Sequence, residues 1–342
     1  MQDTISPKKI LVIRFSSIGD IVLTSPVLRC LRAQRPGWQI HFLTKKIFQP
    51  VVAHNPNIDR VHYLEDDLEA TIRELKKEQF DFVADLHHNA RTLRVKQALG
   101  AKAASFPKKN IRKWILTNMR INAMPDESIV TRYFEAVKPL GIVDDGGGLD
   151  YYIPQDMETT NDDIPASHWN GYVGCVIGGS YATKQMPAEQ WREFCAKVPF
   201  PVMLIGGIDD RDLGTQIAAL DDVKIYNACG KFKFNESADL VRRARVVVSH
   251  DTGLMHVAAA FRKNIVSLWG NTSPELGMFP YFGANTLKTR VSPKSVLMEV
   301  SGLHCHPCSK LGYDKCPRGH FKCMRRQDVD KMVAAVAGYW KE

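Results

Sequence analysis

Short apolar runs of four to seven residues recur along the chain with helical stretches between them, and they do so in two series. The first series is Lys9–Phe15, Gln39–Thr44, Arg60–Glu65, Phe80–Leu86 and Ala101–Phe106; the second is Tyr172–Ile177, Pro201–Ile205, Lys224–Asn227, Arg245–Ser249 and Ile265–Trp269. Strands separated by helical patterns imply βαβ units and parallel sheets. A run such as Ile10-Leu-Val-Ile13, apolar at every position, fits a strand covered by helices on both faces. Between the series, Asp144-Asp-Gly-Gly-Gly148 and the polar stretch Gln155–Ser167 break the periodicity with turn formers. At 342 residues the chain exceeds one ordinary core. The reading is α/β, with two doubly wound Rossmann-like domains facing a central cleft: residues 1–150, a linker at 151–168, and a second domain at 169–325. A closing helix at 326–342 follows from the helical spacing of Val329, Met332, Val333 and Val336.

Composition narrows the class further. With 23 Gly and 18 Pro the chain is neither collagen-like nor of low complexity. It has no apolar stretch long enough to span a bilayer, and Arg14 interrupts the Ile10–Ile13 run well short of a secretory segment. A soluble cytoplasmic protein is expected. The net charge is +9, and residues 86–125 hold nine Lys/Arg and no Asp or Glu. Such a segment attracts an anionic partner, or is a solvated basic face.

Three loops at strand ends carry candidate chemistry, each with a plainer alternative. Arg14-Phe-Ser-Ser-Ile-Gly-Asp20 joins the first strand to a helix expected over Ile21–Ala33, so Asp20 is either a functional carboxylate or a helix cap. Asp251-Thr-Gly-Leu-Met-His256 opens the helix Leu254–Phe261, whose N–H groups suit a phosphate. There Asp251 could bond sugar hydroxyls, or Asp251 or Thr252 could cap the helix with His256 in the core. Gly178-Gly-Ser180-Tyr-Ala-Thr183-Lys184 reads as a diphosphate grip or as a glycine turn with a solvated lysine. Neither a dinucleotide fingerprint nor a P-loop occurs.

Taken together, Ser17-Ile-Gly-Asp20 through Pro26, Asp85-Leu-His-His-Asn89-Ala-Arg91, and Asp251 through Ala260 continuing to Gly270-Asn-Thr-Ser-Pro274 resemble glycosyltransferase family 9, the ADP-heptose:lipopolysaccharide heptosyltransferases. The likeness runs from Ile10 through Met324. It implies a GT-B fold, with acceptor bound by the first domain and nucleotide sugar by the second. It also implies an inverting, metal-independent transfer of heptose from ADP-heptose to the lipopolysaccharide inner core. Asp20 matches the family's catalytic base and Lys184 the residue that neutralises the diphosphate, with Ser180, Thr183 and the turn Thr252, Gly253 and Leu254 beside it. Asp251 matches the donor-sugar ligand, with His256 in the same signature. Asp210 corresponds to the ribose-binding acid, in a register shared with Asp209, and Phe232 lies where the adenine is cradled. Gln185-Met186-Pro187 departs from the basic residue and Trp-Pro that many members carry there.

For the anionic glycolipid acceptor the basic segment offers Asn89, Arg91, Arg94, Lys108, Lys109, Arg112 and Lys113, with Trp114 and Ile115 placed to touch lipid at the cytoplasmic face of the inner membrane. Cys305-x2-Cys308-x7-Cys316-x6-Cys323 fits a structural zinc site or a set of free thiols. No cofactor is expected for catalysis. The rival readings are a GT-B transferase using another nucleotide sugar and envelope acceptor, a non-catalytic member, and a nucleic-acid-binding protein. The last is disfavoured because only Phe106 and Trp114 could stack bases within the basic segment.

Overall fold

The computed structural model describes residues 8–283, 286–288 and 295–341. Each of the ten expected runs becomes a strand, with ends that differ by a residue or two. β1 (Lys9–Ile13), β2 (Gln39–Lys45), β3 (Arg60–Leu64), β4 (Phe82–Asp85) and β5 (Lys102–Ser105) form a sheet in the order β3-β2-β1-β4-β5. β6 (Val173–Val176), β7 (Val202–Ile205), β8 (Ile225–Asn227), β9 (Val246–His250), β10 (Asn264–Trp269) and β11 (Ser295–Glu299) form a second, ordered β11-β10-β9-β6-β7-β8. All ladders are parallel. β11 is an edge strand whose mixed Ser-Val-Leu-Met-Glu composition gave no strand signal.

The winding reverses once in each sheet. From β1 the chain builds outward to β3, then returns to lay β4 on the other side of β1; β6 and β9 repeat the pattern. At such a reversal the loops leaving the two neighbouring strands turn in opposite directions and leave a crevice at the carboxyl edge. The loops after β1 and β4, and those after β6 and β9, therefore define one site in each unit.

Apolar burial holds the layers. In the first unit Leu11, Ile13 and Val83 pack against Ile72 and Leu75 of helix Leu68–Lys76 and Val95 of helix Ala90–Leu99. In the second, Trp191, Phe194 and Cys195 of helix Ala188–Lys197 and Met332 and Val336 of helix Val329–Trp340 cover β6, β9 and β10. The helix expected over Ile21–Ala33 is two helices, Ile18–Val22 and Ser25–Gln34. Pro26 has no N–H to continue the first, and the Thr24 hydroxyl takes the Ile21 carbonyl at 2.7 Å.

The unit boundaries differ from those expected. One compact unit is Met1–Lys108 with Ser128–Tyr152; the other is Lys109–Glu127 with Ile153–Glu342. Residues 109–127, expected in the first domain, belong to the second: Leu116 is buried and the Leu287 N–H donates to Asp126 Oδ1 at 2.7 Å. Nor is 155–168 a bare linker. It forms three single-turn 3-10 helices, and Thr159 donates to Asp239 Oδ2 through its N–H (2.8 Å) and hydroxyl (2.6 Å), fastening it to helix Phe234–Arg243.

Asp85 ends β4 fully buried. It accepts from the His87 and His88 N–H groups at 3.0 and 2.6 Å and pairs with Lys96 at 2.9 Å. Burial alone would raise its pKa; Lys96 and the His88 N–H outweigh that and hold it below the ordinary value. A group with a depressed folded pKa stabilises above its unfolded pKa and loses that contribution as pH falls through the folded one. Acid melts should therefore show the Asp85 contribution intact at pH 6 and fading only below about pH 4. Lys96→Met leaves a buried charge unpaired and should lower stability by about 3 kcal/mol in denaturant titration. Phe194→Ala, which empties a fully buried core position, should cost about 3–5 kcal/mol, read as loss of the second unit's thermal transition.

Candidate functional site

In the first unit, the crevice beside β1 is built around Arg14. Its guanidinium is almost wholly buried and fully engaged: Nε donates to the Ser16 carbonyl (2.7 Å), Nη1 to the Leu86 carbonyl (2.6 Å), and Nη2 pairs with Asp20 Oδ1 (2.7 Å). Arg14 thereby ties the loop after β1 to the loop after β4. Burial alone would lower its pKa; the Asp20 charge, with Tyr133 and Asp85, outweighs that and holds it above the ordinary value.

Asp20 occupies the first turn of helix Ile18–Val22, where Ser17 donates to Oδ2 from its N–H (3.2 Å) and hydroxyl (2.9 Å). The sequence left a cap and a functional carboxylate as alternatives, and the geometry contains both. Asp20 closes a capping box, yet its side chain keeps 18% exposure while paired to Arg14. Tyr133 donates its hydroxyl to Oδ1 at 3.4 Å and, pushed up chiefly by burial, stays protonated to do so. His87 leans on Phe15 with ring centroids 4.9 Å apart; burial first, then Arg14 and Lys108, push it down to about 4, so it is a neutral ring at physiological pH.

In the second unit, the crevice between β6 and β9 brings together residues 67 positions apart. Lys184 Nζ lies 2.6 Å from Asp251 Oδ2 and 3.2 Å from the Asp251 carbonyl, and Thr272 donates to the same Oδ2 at 2.9 Å. Thr252 is the N-cap residue of helix Gly253–Ala260 but makes no side-chain bond to it; its hydroxyl lies 3.3 Å from Ser249 Oγ. The positive end of that helix, with Gly253 and Leu254 in its first turn, thus opens beside the Lys184–Asp251 pair. His256 is buried within the helix. His250, which the sequence reading passed over, accepts the Met186 N–H at Nε2 (2.9 Å) and so fixes the loop carrying Lys184. Burial pushes it down to about 4, keeping the acceptor nitrogen unprotonated.

Asp210 lies at the same carboxyl edge, accepting the Gly207 N–H at 2.8 Å; burial raises its pKa, and Asp209 adds to the shift. A Cβ on Gly178 would fall 2.2 Å from its Oδ2, so glycine there admits the carboxylate beside β6. Ser180 is exposed and Phe232 half-buried in the turn after β8.

Two expected ligands are already engaged. Thr183, expected at the donor, has its hydroxyl donating to the Tyr313 carbonyl (2.9 Å) and accepting the Tyr313 N–H (2.8 Å), so it clamps the cysteine-rich tail instead. Asn89, expected at the acceptor, caps helix Ala90–Leu99 by accepting the Thr92 N–H at 3.0 Å. The other acceptor candidates divide between units: Arg91 over the Phe15 ring (5.5 Å), Arg94 paired with Glu69, and Lys108 lie in the first, whereas Lys109, paired with Glu127 at 2.9 Å, Arg112 and Lys113 lie in the second.

The tail itself braces the second site. Cys308 and Ser309 donate backbone N–H groups to the Asn271 carbonyl (3.0 and 3.2 Å), next to the Thr272 that holds Asp251. Cys305, Cys308 and Cys316 are half-buried, Cys323 is buried, and none of the four is in a disulfide. Burial, then the neighbouring thiols, raises Cys308 and pushes Cys323 up to about 12. Among the described residues, no three ligand atoms of this tail lie within 4.8 Å of one another. Arg14, Tyr133, His250 and Thr272 were missed because each acts through a distant partner; the only local signal was a charge, Arg14, ending an apolar strand.

Residues 68–291 match the family described as glycosyltransferase family 9 (heptosyltransferase). Lipooligosaccharide heptosyltransferase 2 of Haemophilus influenzae is 24% identical over 301 residues, covering 78% of this chain and 84% of that protein. Among solved structures, a family 9 glycosyl transferase from Veillonella parvula superposes with a TM-score of 0.73 at 20% identity, covering 98% of this chain and 97% of its own. The Escherichia coli ADP-heptose lps heptosyltransferase II gives 0.71 at 17%, covering 97% and 98%. These likenesses confirm the GT-B type of fold, two parallel α/β units, and with a family match across well over half of its length the chain belongs to glycosyltransferase family 9, the heptosyltransferase family.

Proposed function

We propose that the protein transfers heptose from ADP-heptose to the inner core of lipopolysaccharide with inversion at the anomeric carbon. The observation that carries this reading is the Lys184–Asp251 pair beside a helix N-terminus that the Thr252 side chain does not cap. With no donor present, Asp251 neutralises Lys184. An arriving diphosphate offers the ammonium and the Thr252–Leu254 turn a second anion, and frees the Asp251 carboxylate to accept from sugar hydroxyls.

In the transfer, the acceptor oxygen bonds to the anomeric carbon as the carbon–oxygen bond to the β-phosphate breaks, and ADP leaves with the electron pair. The acceptor proton passes to Asp20, which Arg14 and Ser17 orient. Lys184 and aligned backbone dipoles meet the leaving charge, without a metal. Asp210 and Phe232 serve the nucleoside. Arg91, Arg94, Lys108, Arg112 and Lys113 serve the acceptor's phosphates and carboxylates. Ile111 and Trp114, 76% and 57% exposed beside Arg112, suit an anionic membrane face.

Thermal unfolding with nucleotides tests the donor. A ligand at about 100 times its Kd adds about 2.7 kcal/mol. ADP and ADP-heptose should stabilise the chain, with UDP and GDP ineffective, and Asp251→Ala should remove only the heptose's extra effect. Asp20→Asn should lower kcat by roughly 10²-fold or more while leaving ADP stabilisation unchanged. Preference for UDP or GDP would discard the heptose donor, and full turnover in Asp20→Asn would remove the base.

We further propose that Cys305, Cys308, Cys316 and Cys323 draw together around a structural zinc, which soft thiolates favour. Metal analysis of purified protein should find the zinc content of Cys316→Ser lower than that of the wild type by about one ion per chain. Because the tail is bonded to Thr183 and Asn271, that variant should also bind ADP more weakly.

A further inference from the structure

A third cluster, at the other end of the first unit's sheet from its crevice, gathers groups that bind metal ions. His41 lies on β2 and His62 on β3; the register sets Arg60 opposite His41 and His62 opposite Leu43, so the two rings rise from one face of the sheet. His41 Nδ1 and His62 Nε2 are 2.9 Å apart, with ring centroids at 5.1 Å. Glu78, in the turn after helix Leu68–Lys76, completes the group: one ligand atom from each of the three residues lies within 4.8 Å of the others. Phe80 stands edge-on to both rings, at 5.2 and 6.1 Å. Lys9, at 3.2 Å, and Arg60 hold the two Glu78 oxygens.

We propose that His41, His62 and Glu78 form a site for a divalent zinc-type ion that ties the edge strand β3 to β2 and to the turn before β4. Two nitrogens about 2.0–2.1 Å from one tetrahedral ion lie about 3.3 Å apart, so the observed spacing needs adjustment by only a few tenths of an ångström. Two imidazoles with one carboxylate suit zinc, nickel and cobalt. Both nitrogens become ligands when the proton shared between the neutral rings is exchanged, through solvent, for one on the far nitrogen of the ring that carried it. No net proton is lost. Lys9 and Arg60 then act as the outer partners that orient a ligating carboxylate.

The position argues for a structural ion. Lys9 and Arg60 open β1 and β3, and His41 is the third residue of β2, so the cluster lies toward the amino ends of the strands, opposite the edge that carries Asp20. No residue of β3 is fully buried, which leaves this edge strand with little apolar burial to hold it.

The test uses the full chain stripped with chelator and titrated with CoCl2, followed by absorbance, since cobalt held by imidazole and carboxylate lacks the thiolate charge-transfer band that the cysteine tail would produce. The expected result is one cobalt equivalent bound without that band, over and above any that shows it through the cysteine tail; this equivalent should be displaced by ZnCl2, with its affinity reduced at least tenfold in both His62→Gln and Glu78→Gln. Circular dichroism and ADP stabilisation should be unchanged in both variants, which separates this site from the transferase reading. Wild-type titration curves in both variants, or cobalt bound only with a thiolate band, would overturn the proposal.

Discussion

The reversal of strand order, once in each parallel sheet, is the constraint from which both sites follow. A parallel sheet covered by helices offers its ligands no open face, so binding groups must come from the loops at the carboxyl edge. Where two neighbouring strands send their loops opposite ways, residues far apart in sequence meet over the strand ends. Arg14 reaches the Leu86 carbonyl across the β1/β4 reversal, and Lys184 reaches Asp251 across β6/β9. Each reversal holds a cation–carboxylate pair, and the pairing has an energetic reason: a charge left alone in so enclosed a place would be costly. The pairs also leave both sites poised, because a ligand that satisfies one partner releases the other.

Precision at the second site comes from a part of the chain with no strand or long helix of its own. The tail around Cys308 bonds to the loop bearing Lys184 through Tyr313 and Thr183, and to the loop bearing Thr272 through Asn271. Gly270 permits this, since a Cβ there would fall 2.6 Å from the Thr183 carbonyl. Two neighbours in this region look like an ion pair and are not one. Glu299 and His306 lie 3.6 Å apart, but burial and Glu275 push Glu299 up to about 7, while burial lowers His306. The His306 ring is neutral near pH 7, and its Nε2 bonds instead with the Thr272 carbonyl at 2.9 Å, which ties the tail to the loop that holds Asp251.

What could be read in advance was what repeats locally. Inner strands such as β1, β6 and β7 announced themselves because burial on both faces favours apolar residues, the more exposed β3 and β5 by their place in the alternation with helices, and Asp20, Lys184 and Asp251 stood at strand ends where ligands bind. What escaped reading depends on partners distant in sequence. Asn89 looked like a recognition residue until Thr92 was seen to occupy it, and Thr183 until Tyr313 was. The break at Thr24 did have a local sign in Pro26, but the apolar periodicity continues through it and masks the interruption. Residues 109–127 could not be assigned from composition, because their place is set by single long-range contacts such as Asp126 with Leu287.

The basic segment shows most clearly why linear charge is an incomplete guide to a field. Over residues 86–125 no acid accompanies nine cations, yet acids from elsewhere meet several of them: Asp85 takes Lys96, Glu69 takes Arg94 and Glu127 takes Lys109. Folding thus converts a uniform positive run into a few distinct groups. Lys96 serves the interior, Arg91 lies over an aromatic ring, and Arg112 stands exposed without an ion pair among the described residues, next to Ile111. An exposed pair such as Arg94–Glu69 contributes little to stability, so an anionic acceptor can take the arginine at small cost. The buried Lys96–Asp85 pair cannot be exchanged so cheaply. The difference between the solvent-facing arginines and lysines of this segment and its structural ones is therefore set by burial, not by position in the run.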